Sequence, residues 1–137
     1  ASEKIREFLS MANDLERVAD IYYMMTKNYQ RMVKQEIKLP EDSMQELKEM
    51  LDLVYNSIKV MRKNMELDRD EIVLKEVYQL ESEAKTMRKK LVKNHYDRLE
   101  RNVYTSTAGV IYLDYVVRAE RIVAHIVNVN ESLVGLK

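Results

Sequence analysis

The 137-residue chain has no cysteine, no tryptophan, two glycines, one proline and a single phenylalanine. Without cysteine there is neither a disulfide framework nor a thiolate metal site, and a reducing compartment suits it. So little Gly and Pro, with 34% charged residues, points to helices and away from a turn-rich β fold. Lys+Arg and Asp+Glu balance at 23 each, so no net field draws the chain to nucleic acid. No apolar run approaches the ~20 residues that span a membrane, and no signal peptide is visible. The start at Ala1, already helix-like by Glu3, reads as a trimmed or excised segment; N-terminal processing gives the same start.

What is present is periodicity, and the length suits one domain. Helix 1 is expected from about 3 to 36. Ile5, Phe8, Ala12, Leu15, Ala19, Tyr22, Thr26, Tyr29 and Val33 recur in steps of 3 and 4. A second line, Met11, Leu15, Val18, Tyr22, Met25, Tyr29 and Met32, runs beside it, giving a stripe wide enough for two neighbours. Pro40 ends this stretch. Helix 2 is expected from Asp42–Ser43, where Ser43 and Glu46 have capping-box spacing. Met44, Leu47, Leu51, Val54, Ile58, Met61 and Met65 form its seam.

Helix 3 is expected after Asp68 and ends near Asn102, with Val73, Val77, Leu80, Ala84, Met87 and Leu91 on one face. Helix 4 follows the hydroxyl caps of Tyr104-Thr-Ser-Thr and runs to about Leu133, with Gly135 as its stop. Short connections make an all-α, antiparallel up-down bundle of four long helices the expected fold. The nine Met and nine Tyr are expected mainly as core filling.

Glutamates interrupt two of these lines. Glu120 stands in the seam Leu113, Val116, Val123, Val127 and Asn130, and Glu16 breaks Leu9, Ala12, Ala19 and Tyr23. Asp20 lies one helical step beyond Glu16, on the same face. A carboxylate in an apolar line needs a partner. A metal held between two facing helices is one solution; ion pairs with Arg17, Arg118 or Arg121, or plain exposure, are others. His125 sits 140° round the helix from Glu120, at a bundle edge, and His95 near a helix end.

Several catalytic templates fail. Val92 and Ile122 stand three residues before the histidines, so the Glu-x-x-His pairs of di-iron bundles are missing. There is no His-Glu-x-x-His and no phosphate-cradling glycine loop, and no nucleophile–base pair is suggested. Lys85, Arg88, Lys89, Lys90 and Lys93 read as a solvated face.

Asp14-Leu-Glu-Arg-Val-Ala-Asp20 resembles the acidic signature of PhoU-like domains. Ala108-Gly-Val-Ile-Tyr-Leu-Asp114, continuing into Glu120-Arg-Ile-Val-Ala-His125 and Asn128, looks like the closing helix of the PhoU-like region of bacterial sodium/phosphate cotransporter family proteins. Val77-Tyr-Gln-Leu-Glu81 is similar to the preceding helix. The resemblance covers nearly the whole chain, with helix 1 as the remnant of a first repeat and residues 41–134 as a three-helix second repeat.

It implies a non-enzymatic regulatory domain in phosphate transport, on the cytoplasmic side of a membrane protein. Its partners would be the transporter's membrane domain in the same parent chain and further copies of itself. It further implies iron or zinc at acidic motifs, with Glu16, Asp20 and Glu120 as the matching positions. Ala124 stands where a further acid is expected, so reduced, mononuclear or absent metal binding follows. Two readings stand beside this one: a metal-binding bundle with an acidic site, and a ligand-free oligomerisation module.

Overall fold

The computed structural model describes residues 2–136. Four helices carry the fold: α1 (Ser2–Lys34), α2 (Glu41–Met65), α3 (Lys75–Glu100) and α4 (Ser106–Leu133). A single 3-10 turn, Arg69–Glu71, precedes α3. There are no strands among the described residues.

The helix ends follow local chemistry. Glu36, in left-handed geometry at φ 53°, closes the connection after α1. Helix α2 starts directly after Pro40, whose fixed φ suits the lip of a helix. The Ser43–Glu46 capping box is not formed: Ser43 is buried inside the first turn, and Glu46 turns inward to Tyr112 and Arg98. Asp68 starts only the 3-10 turn, because Ile72 leaves it extended, and α3 begins later than expected. Thr105 caps α4 by accepting from the Ala108 N–H at 3.1 Å. Past its end, Gly135 takes a φ of 78° and the Leu136 N–H reaches the Glu131 carbonyl at 2.8 Å. A left-handed stop of this kind favours glycine.

Helix α4 is the axis of the molecule. Ile111, Tyr112, Val116, Ile122, Val123, Ile126 and Val129 are buried on it, on more than one face. A helix apolar over so much of its circumference must be surrounded, and α1, α2 and α3 all pack against it. Helices α2 and α3 also pack on each other, whereas among the described residues α1 makes its extensive contacts with α4 alone. The four long helices of the all-α bundle expected are present, with chain neighbours α1 and α2 splayed apart on either side of a gap. The contacts set the order along each pair. Asp42–Arg98 and Lys63–Glu76 run in opposite senses on α2 and α3. Asp14–His125 and Asn28–Asp114 do so on α1 and α4.

Most tyrosines are not core. Tyr112 is fully buried, but Tyr22, Tyr23, Tyr29, Tyr55, Tyr78 and Tyr96 are exposed. The phenol lets a ring sit at a surface with its edge apolar and its oxygen wet.

Candidate functional site: two polar clusters around α4

The first cluster ties the start of α2, the end of α3 and the start of α4. Arg98 is 5% exposed. Its Nη1 lies 2.7 Å from Glu46 Oε1, an ion contact without the alignment of a hydrogen bond. Its Nη2 reaches the exposed Asp42 at 3.3 Å, and its guanidinium carbon lies 5.5 Å from the centre of the Tyr112 ring. The phenol of Tyr112 and the amide of Asn94 donate to the two Glu46 oxygens at 2.7 and 2.8 Å.

Burial opposes charge on Glu46, yet Arg98, Tyr112 and Asn94 outweigh it and hold the carboxyl below its usual range. Burial likewise works against the Arg98 charge, but the Glu46 carboxylate outweighs it and holds the guanidinium protonated more firmly than usual. Burial and the hydrogen bond to Glu46 push the Tyr112 phenol well up.

Buried His95 closes this end. Its Nδ1 and Tyr104 Oη share a 2.5 Å hydrogen bond, and its ring stacks near-parallel to Tyr112. Desolvation, then the Arg98 charge, pull the imidazole below the usual histidine range. Gly109 allows the close approach, since a Cβ there would meet His95 Cε1 at 2.9 Å and Tyr104 Cε1 at 3.0 Å.

The second cluster fastens α1 to α4. Buried Asp14 bonds His125 Nδ1 through Oδ1 at 2.8 Å and accepts from Asn128 at 3.4 Å. Asn28 donates to Asp114, which also accepts from Arg118 Nε at 2.7 Å, and Tyr115 Oη donates to the Met25 carbonyl at 3.0 Å. Deeper, Asn64 donates to Asn130 at 2.7 Å, and Asn130 to the Ile126 carbonyl at 2.8 Å. Each of these inward amides and carboxylates has a protein partner, as buried polar groups require.

The expected acidic site is not assembled. Glu16 and Asp20 stay close on α1, but both are exposed. Glu120 is half-buried on another side of α4. It shares that side with Glu131, three turns on, which meets Tyr78 of α3 and not α1. Among the described residues no group of three or more His, Asp or Glu side chains is placed to hold a metal ion. The residues carried over from the resemblance therefore do not fit an iron or zinc centre within one chain. The ion-pair alternative is not formed either: Arg118 pairs with Asp114, and among the described residues Glu16, Asp20 and Glu120 make no salt bridge.

The carboxylate that α1 does draw inward is Asp14. It stands in a strict seam of steps 3 and 4: Met11, Asp14, Val18, Ile21, Met25, Asn28, Met32. The two polar members of that seam are the two that bond across to α4. Apolar Leu15 and Tyr29, one residue on, masked them by completing a line of their own. Arg98 had a comparable signal, lying seven residues beyond Leu91 in the buried series Val77, Ala84, Leu91. The basic run of α3 is the solvated face expected: Lys85, Arg88, Lys89, Lys90 and Lys93 are all exposed.

No family model matches the chain, and neither curated proteins nor solved structures give a match. No helix among the described residues is long and apolar enough to cross a membrane.

Proposed function

We propose that this chain is a non-catalytic, PhoU-like regulatory domain of a sodium-coupled phosphate transporter, acting on the cytoplasmic side through protein contacts. The observation that carries the reading is the state of α1. Its inner face is pinned to α4 by Asp14–His125 and Asn28–Asp114. Its outer face keeps a line of uncovered apolar side chains, among them Ile5, Phe8, Tyr29 and Val33. A held helix with an apolar outer stripe is suited to docking. A scaffold role is supported by the pairing of Glu46 with Arg98 and of Asp14 with His125, each of which joins two helices.

The test is sodium-dependent phosphate uptake by cells in which the coding segment for this chain is deleted or carries Phe8→Asp and Tyr29→Asp together. Both changes are expected to alter the dependence of uptake on external phosphate. Uptake identical to wild type over the whole phosphate range, in both strains, refutes the reading. The same stripe favours a ligand-free oligomerisation module as a second reading.

A further inference from the structure

We infer that two copies of this chain pair through the outer face of α1, the helices running antiparallel, with Phe8 of each copy seated in the other's α1–α2 groove. The inference rests on the stripe being a docking surface and not on any link to phosphate.

The seam itself is the first ground. Ile5, Ala12, Ala19, Thr26 and Val33 alternate with Phe8, Leu15, Tyr22 and Tyr29 in an unbroken heptad pattern of a and d positions. Four heptads of such a seam specify a helical partner lying alongside. Yet Ile5, Phe8, Tyr29 and Val33 are 60%, 71%, 60% and 62% exposed. Among the described residues α1 has no extensive contact except with α4, which holds the other face.

The partner's identity follows from side-chain volumes. In one antiparallel register Ala12 faces the partner's Tyr29, Ala19 the partner's Tyr22 and Phe8 the partner's Val33, while Leu15, half-buried against its own core, meets the partner's Thr26 only at its edge. Each alanine of the seam is then met by a tyrosine, so small and large side chains share a layer. A parallel pair would stack Ala12 on Ala12 and Tyr22 on Tyr22, leaving voids beside crowded layers. The stripe is thus complementary to itself in only one of these two orientations, as an isologous two-fold contact demands.

The groove is the second ground. Because α1 and α2 splay apart, an apolar trough of about 490 Å³ opens between them, lined by Tyr29, Met32, Met44, Leu51, Tyr55 and Tyr115. It lies at the level of the C-terminal half of α1, opposite the partner's N-terminal half in that register. Phe8, exposed and on the outer line of its own helix, is the side chain that arrives there. Area agrees: with aromatic side chains at ~150–250 Å² each, the exposed parts of Phe8, Tyr22, Tyr23, Tyr29 and their aliphatic neighbours come to on the order of 800 Å² per copy. That is the share each partner gives to a standard stable interface. The zero net charge adds no long-range repulsion between copies.

Light scattering of the purified chain across micromolar to millimolar concentration is the test, together with spin labels. The expected mass is twice 16.3 kDa. Ala19→Arg, exposed in the single chain and central to the pair, is expected to give monomers with unchanged helix content. Phe8→Ala is expected to weaken association on the order of tenfold, about 1.4 kcal/mol. Since the chain has no cysteine, Asp20→Cys and Arg6→Cys each carry one label. Antiparallel pairing gives a short Asp20→Cys distance and an Arg6→Cys distance of about 45 Å, from a rise of 1.5 Å per residue. Monomeric wild type, a dimer that survives Ala19→Arg, or short distances at both labels overturns the inference. The uptake assay is read separately, so a monomer whose α1 stripe still alters uptake removes self-pairing and leaves the docking role standing.

Discussion

Replacing Arg98 by methionine removes the cation that lies against Glu46 and leaves the carboxylate behind. The Glu46 side chain is 16% exposed and that of Arg98 6%, so the loss is that of a buried pair and not of a surface one. Breaking a buried pair from one side costs about 3–5 kcal/mol, because a charge is stranded. The low end applies here. Tyr112 and Asn94 still donate to the Glu46 oxygens at 2.7 and 2.8 Å, and methionine fills much of the arginine stem's volume. The Asp42 contact adds little, since Asp42 is 70% exposed.

A loss of about 3 kcal/mol is expected for Arg98→Met. For 137 residues, an unfolding entropy of roughly 0.3 kcal/mol/K turns this into a melting-temperature fall of about 10 °C. Adding Glu46→Gln removes the stranded charge while keeping an acceptor for Tyr112, so the double variant should regain about 1–2 kcal/mol over Arg98→Met. Urea unfolding followed by circular dichroism measures all three proteins. An Arg98→Met loss below about 1 kcal/mol, or a double variant no more stable than Arg98→Met, refutes the argument from a stranded charge.

Acidification is expected to destabilise the fold. His95 binds its proton less readily folded than unfolded, so its contribution is complete above its unfolded value of about 6.5 and declines as pH falls below it. Glu46, also held low, follows: its contribution is complete above about 4.3 and is lost as pH falls through the folded value. Urea midpoints from pH 8 to 3 should therefore fall in two stages, and a flat profile contradicts both shifts. Gly109→Ala should lose about 1–2 kcal/mol despite alanine's better helix propensity, because the new methyl presses on His95 and Tyr104; a rise in melting temperature opposes this. Asp14→Ala should loosen α1 by about 1–3 kcal/mol by leaving His125 and Asn128 without their acceptor. Amide exchange that speeds up in α1 and spares α2 and α3 supports it, and uniform acceleration speaks against it.

The order of the four helices and where each one ends were legible because their causes are local, whereas the start of α3 was not. Pro40, the Thr105 cap, the Gly135 stop and apolar steps of 3 and 4 act within a turn or two of chain. Periodicity also showed that α1 has two apolar lines. It had no means of saying which one meets α4, because adjacent lines with the same steps differ by a rotation of the whole helix, and only the packing partner fixes that rotation. The structure sets the Met11–Asp14–Val18–Ile21 line inward, which turns Asp14 and Asn28 toward α4 and carries Glu16 and Asp20 out to solvent. For the same reason Glu120, for which a place opposite α1 was one of the alternatives, sits on the α3 side of α4. The sequence alone determined that helices form and where they stop; the burial of α4 among three neighbours decided which carboxylates pair, which stand free, and which apolar face of α1 is left uncovered.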